Sequence, residues 1–367
     1  MAKRDCEKLN FTVGPVMSSA ETLAIGGSQV PYFRTAEFSA VMKENEKIMK
    51  ELMHAPDSAR TVFLTGSGTA AMEAAVMNCL TEKDRAIVVN GGSFGARFAQ
   101  ICKVHHIPFD EIRLTAGAAL TAADLEPLEG KGYTAFLINL GETSTGVLYD
   151  LPLVADFCRR NNLFLIVDAI SAFLADELDM EQCGAAVVLT GSQKALALAP
   201  GVSILMLSDT AQQRIARHPA QCLYFDLADY LKNMERGQTP FTPAVGILLE
   251  LNDRLRQLQA AGGAKAEHER IAALAQDFRA KLQGLPFRLF AQTPSDAVTA
   301  LLVTGKTTAT QIFETLKNEY DIFICPNGGE LKETVLRVGH IGCLSTKEND
   351  VLIGAMRDMM EKGKMIP

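Results

Sequence analysis

The sequence predicts an α/β protein: a mostly parallel central sheet in a large unit, followed by a smaller C-terminal α+β unit. Three observations predict it. From about residue 60, short β-branched and aliphatic runs alternate with stretches of strong helix formers. Those runs are apolar almost without a break, as expected of strands buried on both faces of a parallel sheet. After about residue 243 the texture changes to two long helices and then a mixed set of short elements.

In chain order, "RTVFLTG" (60–66) reads as a strand and "TAAMEAAVMNCL" (69–80) as a helix of strong formers. "AIVVN" (86–90) is a strand and "FGARFAQICKVH" (94–105) a helix. Further strands are "TAFLINL" (134–140), "LFLIVDA" (163–169), "AAVVLTG" (185–191) and "VSILMLS" (202–208), with a helix at 151–160. Two long helices parted by "GGAK" follow, then "FRLFA", "AVTALLVT", a helix near 307–319, "DIFIC", "TVLRVG" and a helix from about 346. The boundary is placed near residue 245, giving a large unit 1–245 and a small unit 246–367. The first 35 or so residues read as irregular.

The chain has 367 residues, 48% hydrophobic and 22% charged, enough apolar material for a large core. A net charge of −7 argues against nucleic acid or an anionic membrane as partner. No apolar run approaches the ~20 residues that span a bilayer. "MAKRDCEKLNF" lacks the apolar stretch of a signal peptide, so a cytoplasmic protein is expected. Eight cysteines show no C-x-x-C spacing and read as reduced core residues. The six histidines show no zinc-site spacing, and no metal is expected.

In a parallel sheet, ligands gather beyond the carboxyl ends of the strands. Three strand ends carry candidate chemistry. Gly66-Ser67-Gly68-Thr69 precedes a helix, and is either an ordinary capped turn or an anion cradle suited to phosphate. Asp168 ends "LFLIV"; it is either a structural cap or an anion facing a protonated ring nitrogen. Ser192-Gln193-Lys194 follows "AAVVLT", and its lysine is either solvated or a nucleophile made more reactive by desolvation. Taken together, the three match the needs of pyridoxal 5′-phosphate: an anion site, a carboxylate for the pyridinium and an amine for the Schiff base.

These segments resemble the class V aminotransferases of the fold type I pyridoxal phosphate enzymes. The similarity runs from "FTVGPVMSS" to "LRVGHIGCLSTKEN" and is nearest to alanine–glyoxylate/serine–pyruvate and 2-aminoethylphosphonate–pyruvate transaminases. "LTGSGTAAMEA" is similar to the phosphate segment, which implies cofactor contacts from Ser67, Gly68 and Thr69. "GGSFGARF" implies that Phe94 stacks on the cofactor ring. "NLGETSTG" implies Thr143 near the phenolic oxygen with Glu142 close by, and has Leu140 where relatives often have histidine. "VDAISAF" carries the pyridinium partner Asp168. "TGSQKAL" carries Gln193, expected on the phosphate, and the Schiff-base lysine, Lys194.

The resemblance also implies a homodimer with active sites at its interface. "GQTPFTPAVG" is similar to a segment that reaches the neighbouring subunit's phosphate, through Thr242 in first place and Thr239 in second. Arg337, inside "ETVLRVGHIG", is implied to grip the substrate carboxylate. His340 is a candidate to face the same pocket. Arg34 would either bind a distal acid or phosphonate, or cap or pair with Glu37 at a helix start.

The implied activity is a ping-pong transamination, from a small amino acid such as alanine or serine to a 2-oxo acid or glyoxylate. A 2-aminoethylphosphonate–pyruvate transaminase is the nearest alternative. A class V lyase such as a cysteine desulfurase would need a reactive cysteine, for which Cys325 is the candidate. A cofactor-binding module without turnover is the remaining alternative.

Overall fold

The strand runs have no polar beat because each strand feeds two cores. The computed structural model describes residues 8–367, so Cys6 and the first charged residues lie outside it. The strands are β1 (Leu9–Phe11), β2 (Arg60–Thr65), β3 (Ala86–Asn90), β4 (Phe109–Arg113), β5 (Ala135–Asn139), β6 (Gly141–Glu142) and β7 (Val147–Leu148). They continue with β8 (Phe164–Asp168), β9 (Val187–Gly191), β10 (Val202–Leu207), β11 (Phe287–Leu289), β12 (Val298–Val303), β13 (Ile322–Pro326) and β14 (Val335–Gly339). Seven of them form the large sheet, in the order β2-β10-β9-β8-β5-β3-β4. Neighbours are parallel except around β10, which runs antiparallel to both β2 and β9. Ile87, Val89, Leu165 and Val167 enter one core; Ala86, Val88, Phe164 and Ile166 enter the other. Burying each large aliphatic side chain stabilises by about 1.5–3 kcal/mol.

Most predicted elements form close to their expected bounds. The helix Leu151–Arg160 starts where Asp150 accepts a hydrogen bond from the Leu153 amide, with proline in its first turn. The helix Thr346–Glu361 starts in a capping box made by Ser345 and Glu348. The N-terminal segment is more regular than expected: β1 forms there, as does the short helix Ala20–Gly26. A longer helix, Ala36–Leu52, follows, capped by Thr35.

The second sheet has the order β1-β13-β14-β12-β11, so the first strand of the chain joins the C-terminal unit. β1 runs parallel to β13; the other pairs are antiparallel. Phe11, Phe278, Leu301, Ile324, Leu336 and Met356 share its core. The helix Val245–Ala260 places Leu248, Leu251, Leu255 and Leu258 in the first core of the large sheet. The helix Gly263–Lys281 gives Ile271 to that core, and Leu274 and Phe278 to the second sheet's core.

The described cysteines are free. Cys79, Cys102, Cys158 and Cys183 are buried as expected, but Cys222 and Cys325 are half-buried and Cys343 is exposed. No helix among the described residues is long and apolar enough to cross a membrane.

Candidate active site

A cavity of about 220 Å³ opens beyond the carboxyl ends of the parallel strands. Ser67, Gly68, Thr69, Phe94, Thr143, Asp168, Gln193 and Lys194 line it, joined by Gly14, Arg97, Gly141, Ile170 and Ser171. The loops after β2, β3, β5, β8 and β9 thus converge on one space. The reversed strand β10 keeps its start at the same edge, where the Gly66 amide donates to the Gly201 carbonyl at 2.8 Å.

Ser67 precedes the helix Gly68–Cys79 in extended geometry, and its side chain makes no capping hydrogen bond. The helix start therefore faces the cavity with a favourable dipole and unclaimed polar groups. A Cβ at Gly68 would lie 2.3 Å from Ile170 Cδ1, so a larger residue there requires the Ile170 side chain to shift.

Lys194 is 8% exposed. Its Nζ donates to the Val13 carbonyl at 2.5 Å and lies 5.9 Å from the centre of the Phe94 ring. Burial lowers its pKa to about 8, with Arg337 and Arg97 adding to the depression while Cys325 and Asp168 oppose it. The N-terminal segment covers the lysine by way of Gly14. That residue has φ +119°, and a Cβ on it would meet Lys194 Cδ at 2.8 Å.

Asp168 is 5% exposed, and its Oδ1 accepts the Ile170 amide at 2.9 Å. Burial raises its pKa to about 6; the Ile170 hydrogen bond, Lys194 and Arg97 pull the other way. Desolvation outweighs the attraction between the two groups, so each is biased toward its neutral form. A cation placed in the cavity would reverse that bias for Asp168.

Glu142 is fully buried and ties the surrounding loops together. One oxygen accepts the Gly95 amide and the Asn139 amide group, both at 2.9 Å; the other accepts the Ser144 hydroxyl at 2.5 Å and the Ser144 amide at 3.1 Å. Glu142 thereby fixes the turn that carries Phe94 against the loop that carries Thr143.

Arg97 was not among the sequence candidates. Its Nη1 donates to Thr69 Oγ1 at 3.0 Å, and its guanidinium carbon lies 4.9 Å from the Phe94 ring centre. The signal was present in "FGAR", since a residue three positions after Phe94 shares its helix face. Gly14 and Ser171 were also missed, although they lie in the quoted stretches "FTVGPVMSS" and "VDAISAF", because neither carries a charge.

The remaining candidates, Arg337, Cys325, His340, Arg34, Thr239 and Thr242, are not among the residues that line the cavity. Arg337 donates to the Thr143 carbonyl at 3.2 Å and to the Pro326 carbonyl at 2.6 Å, while its buried Nε has no partner among the described residues. Cys325 sits opposite Arg337 in the β13–β14 ladder, and its thiol donates to the Pro326 carbonyl at 3.6 Å. His340 is fully buried beside Thr299, 2.7 Å from its hydroxyl, and is not among the cavity-lining residues. Burial lowers its pKa to about 3.

Arg34 donates to the carbonyls of Thr239 (2.9 Å) and Pro240 (3.1 Å), and the helix that follows it is capped by Thr35. Thr239 is buried, and its hydroxyl donates to the Phe241 carbonyl at 2.7 Å. Thr242 is exposed.

The residues present fit pyridoxal 5′-phosphate. Gln193 lines the cavity with a side-chain amide that makes no hydrogen bond among the described residues, so its NH2 group can donate to an anion there. The uncapped helix start suits an anion, and the desolvated pair Lys194 and Asp168 suits an aldehyde and a protonated ring nitrogen.

Residues 25–332 match the family described as aminotransferase class-V. The chain is 29% identical over 354 residues to a protein named the small subunit of a soluble hydrogenase from Synechococcus sp., covering 95% of this chain and 91% of that one. It is 30% identical over 366 residues to alanine–glyoxylate aminotransferase from Oryctolagus cuniculus, covering 95% and 91%. Among solved structures it is similar to aspartate aminotransferase from Thermus thermophilus, with a TM-score of 0.89, 26% identity, and coverage of 96% of this chain and 99% of that one.

Proposed function

Because the chain belongs to the class V aminotransferases, a family of pyridoxal phosphate enzymes, we propose that it moves the amino group of a small neutral amino acid to glyoxylate or another 2-oxo acid. Alanine and serine are the proposed donors. The observation that carries this choice is the way the arginines are engaged. Arg97 is turned to Thr69 and Phe94, and Arg34 to the backbone carbonyls of the 239–240 segment. Arg337 also bonds two carbonyls, but its Nε has no partner among the described residues, and it is the arginine proposed for one carboxylate. An acidic or phosphonate donor would call for a second cation at its far end.

Pyridoxal 5′-phosphate, when bound, supplies an electron sink and carries the amino group between the two halves of the exchange. Lys194 would hold the cofactor through its aldehyde and, once displaced by the donor amine, would take the proton from the donor α-carbon and deliver it to the carbon that had been the aldehyde. Asp168 keeps a proton on the ring nitrogen. Ser67, Gly68, Thr69 and Gln193 hold the phosphate, Phe94 covers the ring, and Thr143 faces the phenolic side. Arg337 orients the donor through its carboxylate, with Nε, which has no partner among the described residues, available to donate to it.

The same proposal includes a homodimer in the cytoplasm. Exposure of Thr242, against the internally bonded hydroxyl of Thr239, favours Thr242 as the residue that crosses to the neighbouring subunit's phosphate.

A donor panel tests the substrate choice. Alanine, serine, glutamate, aspartate and 2-aminoethylphosphonate are mixed singly with cofactor-loaded protein and the cofactor absorbance is followed. Faster conversion by aspartate or 2-aminoethylphosphonate than by alanine and serine would overturn it.

A further inference from the structure

We propose that Asp176 is a positioning residue for Arg337, clasping the strand beside the arginine's own to the segment that leads away from Asp168. The inference rests on the assignment of Arg337 to the donor carboxylate.

Asp176 lies on the large unit, where the chain coils tightly after β8. The Phe173 amide bonds the Ala169 carbonyl and the Asp176 amide bonds the Ala172 carbonyl, both at 2.8 Å. The stem of the clasp is therefore fixed to the strand that ends in Asp168. The carboxylate is 4% exposed and crosses to the smaller unit. One oxygen accepts the Ser295 hydroxyl at 2.6 Å, and the other accepts the Asp296 amide at 2.8 Å.

Those two residues lead directly into β12, in which Ala300 pairs with Arg337 of β14. The register is held from behind by Arg279. Its guanidinium bonds the Asp296 carboxylate at 2.9 Å, the Ser295 carbonyl at 2.5 Å and the Thr299 hydroxyl at 3.0 Å. The Ser295 amide also donates to the Gly146 carbonyl at 2.9 Å, in the loop that carries Thr143. Arg337 bonds the Thr143 carbonyl in turn. Its position beside the Thr143 loop thus depends on how β12 sits against the large unit, and Asp176 is a buried carboxylate spanning that seam.

Keeping a carboxylate buried is expensive, and burial raises the Asp176 pKa to about 6. A hydrophobic residue could fill the space at lower cost. It could not accept from a hydroxyl and an amide at once, and those two bonds set the start of β12. Geometry of this kind matters for rate, since a misplacement of ~1 Å can cost about a hundred-fold.

The test uses Asp176→Asn and Ser295→Ala, with L-alanine as the donor probe. Absorbance of cofactor-loaded protein gives the half-reaction rate and its dependence on alanine. Hydrogen exchange of cofactor-free protein reports on residues 295–299 and 335–339. Each variant is expected to raise the alanine concentration for half-maximal rate about ten-fold, with a maximal rate within about three-fold of the parent. Exchange should quicken in both stretches, and borohydride should trap cofactor on Lys194 to the parent extent. Unchanged exchange, or a loss of trapping equal to the loss of rate, overturns the proposal. Should Asp176→Asn not fold, Ser295→Ala decides, since it removes only the hydroxyl, with its bonds to Asp176 and from the Ala297 amide, and keeps the carboxylate. Arg337→Lys separates the two ideas: an unchanged alanine dependence there defeats the Arg337 assignment, while exchange still decides the clasp.

Discussion

Lys194 Nζ and the Val13 carbonyl oxygen lie 2.5 Å apart, so the N-terminal segment is bonded directly to the amine at the centre of the site. The chain reaches that position only because Gly14 takes φ +119° and has no side chain to strike Lys194 Cδ.

Gly14→Ala is therefore expected to displace either the segment or the lysine. Borohydride trapping of cofactor on Lys194, followed by peptide mass analysis, should fall about ten-fold in rate. Parent-like trapping would show that the segment yields without consequence.

The lowered pKa of Lys194 sets the pH at which its amine becomes available. Burial brings the value to about 8, below the ordinary lysine range, so the neutral amine predominates above that pH. Stopped-flow mixing of cofactor-free protein with pyridoxal 5′-phosphate should show capture quickening up to about pH 8 and then levelling. A rise that continues to pH 10 would mean that the lysine keeps its ordinary affinity for protons.

Asp168 makes the cofactor-free protein sensitive to pH in the opposite sense from a paired surface carboxylate. Its folded pKa of about 6 exceeds the ordinary value, so between about pH 4 and 6 the folded state holds a proton that the unfolded state has released. Its contribution is full below about pH 4 and is lost as pH rises through 6, a difference of about 3 kcal/mol. Without cofactor, Asp168→Asn should have the higher thermal midpoint at pH 7.5 and match the parent near pH 4. With cofactor the order at pH 7.5 should reverse, because the pyridinium loses its anion.

Glu142→Ala is expected to lower the thermal midpoint by several degrees. It leaves the Gly95 amide, the Asn139 amide group and the Ser144 hydroxyl without their acceptor, at about 1–3 kcal/mol each. Glu142→Gln keeps the shape and should recover part of the loss, measured by thermal unfolding with and without cofactor.

Arg34→Ala releases the carbonyls of Thr239 and Pro240. The proposed dimer should dissociate at higher protein concentration than the parent, as read by sedimentation equilibrium. Cofactor should dissociate from the variant more readily, because the segment bearing Thr242 loses its tether.

Much of this was written locally in the chain. β3 and the helix Leu151–Arg160 were readable because an unbroken aliphatic run and an Asp-Leu-Pro start each specify one kind of structure. Asp168 and Lys194 were readable because a charge at the end of an apolar run needs a reason. β4 was not, since "FDEIR" is an edge strand whose Asp110 pairs with Arg85 in solvent. Pairing of β1 with β13 could not be seen, because three residues carry no pattern and their partner is distant. Arg34 shows the same limit at the site: its sequence context suggested a ligand or a cap, whereas its partners are carbonyls of a segment that only folding brings near.

The pairing of Leu9 with Ile322 has a consequence for biosynthesis. Strand β1 leaves the ribosome well before β13, its partner in the sheet, at about 5–20 residues per second. The large sheet can close before then, while the stretch bearing Val13 waits unpaired. The amine of Lys194 would be covered last, leaving an interval during translation when a nascent chain can already meet its vitamin.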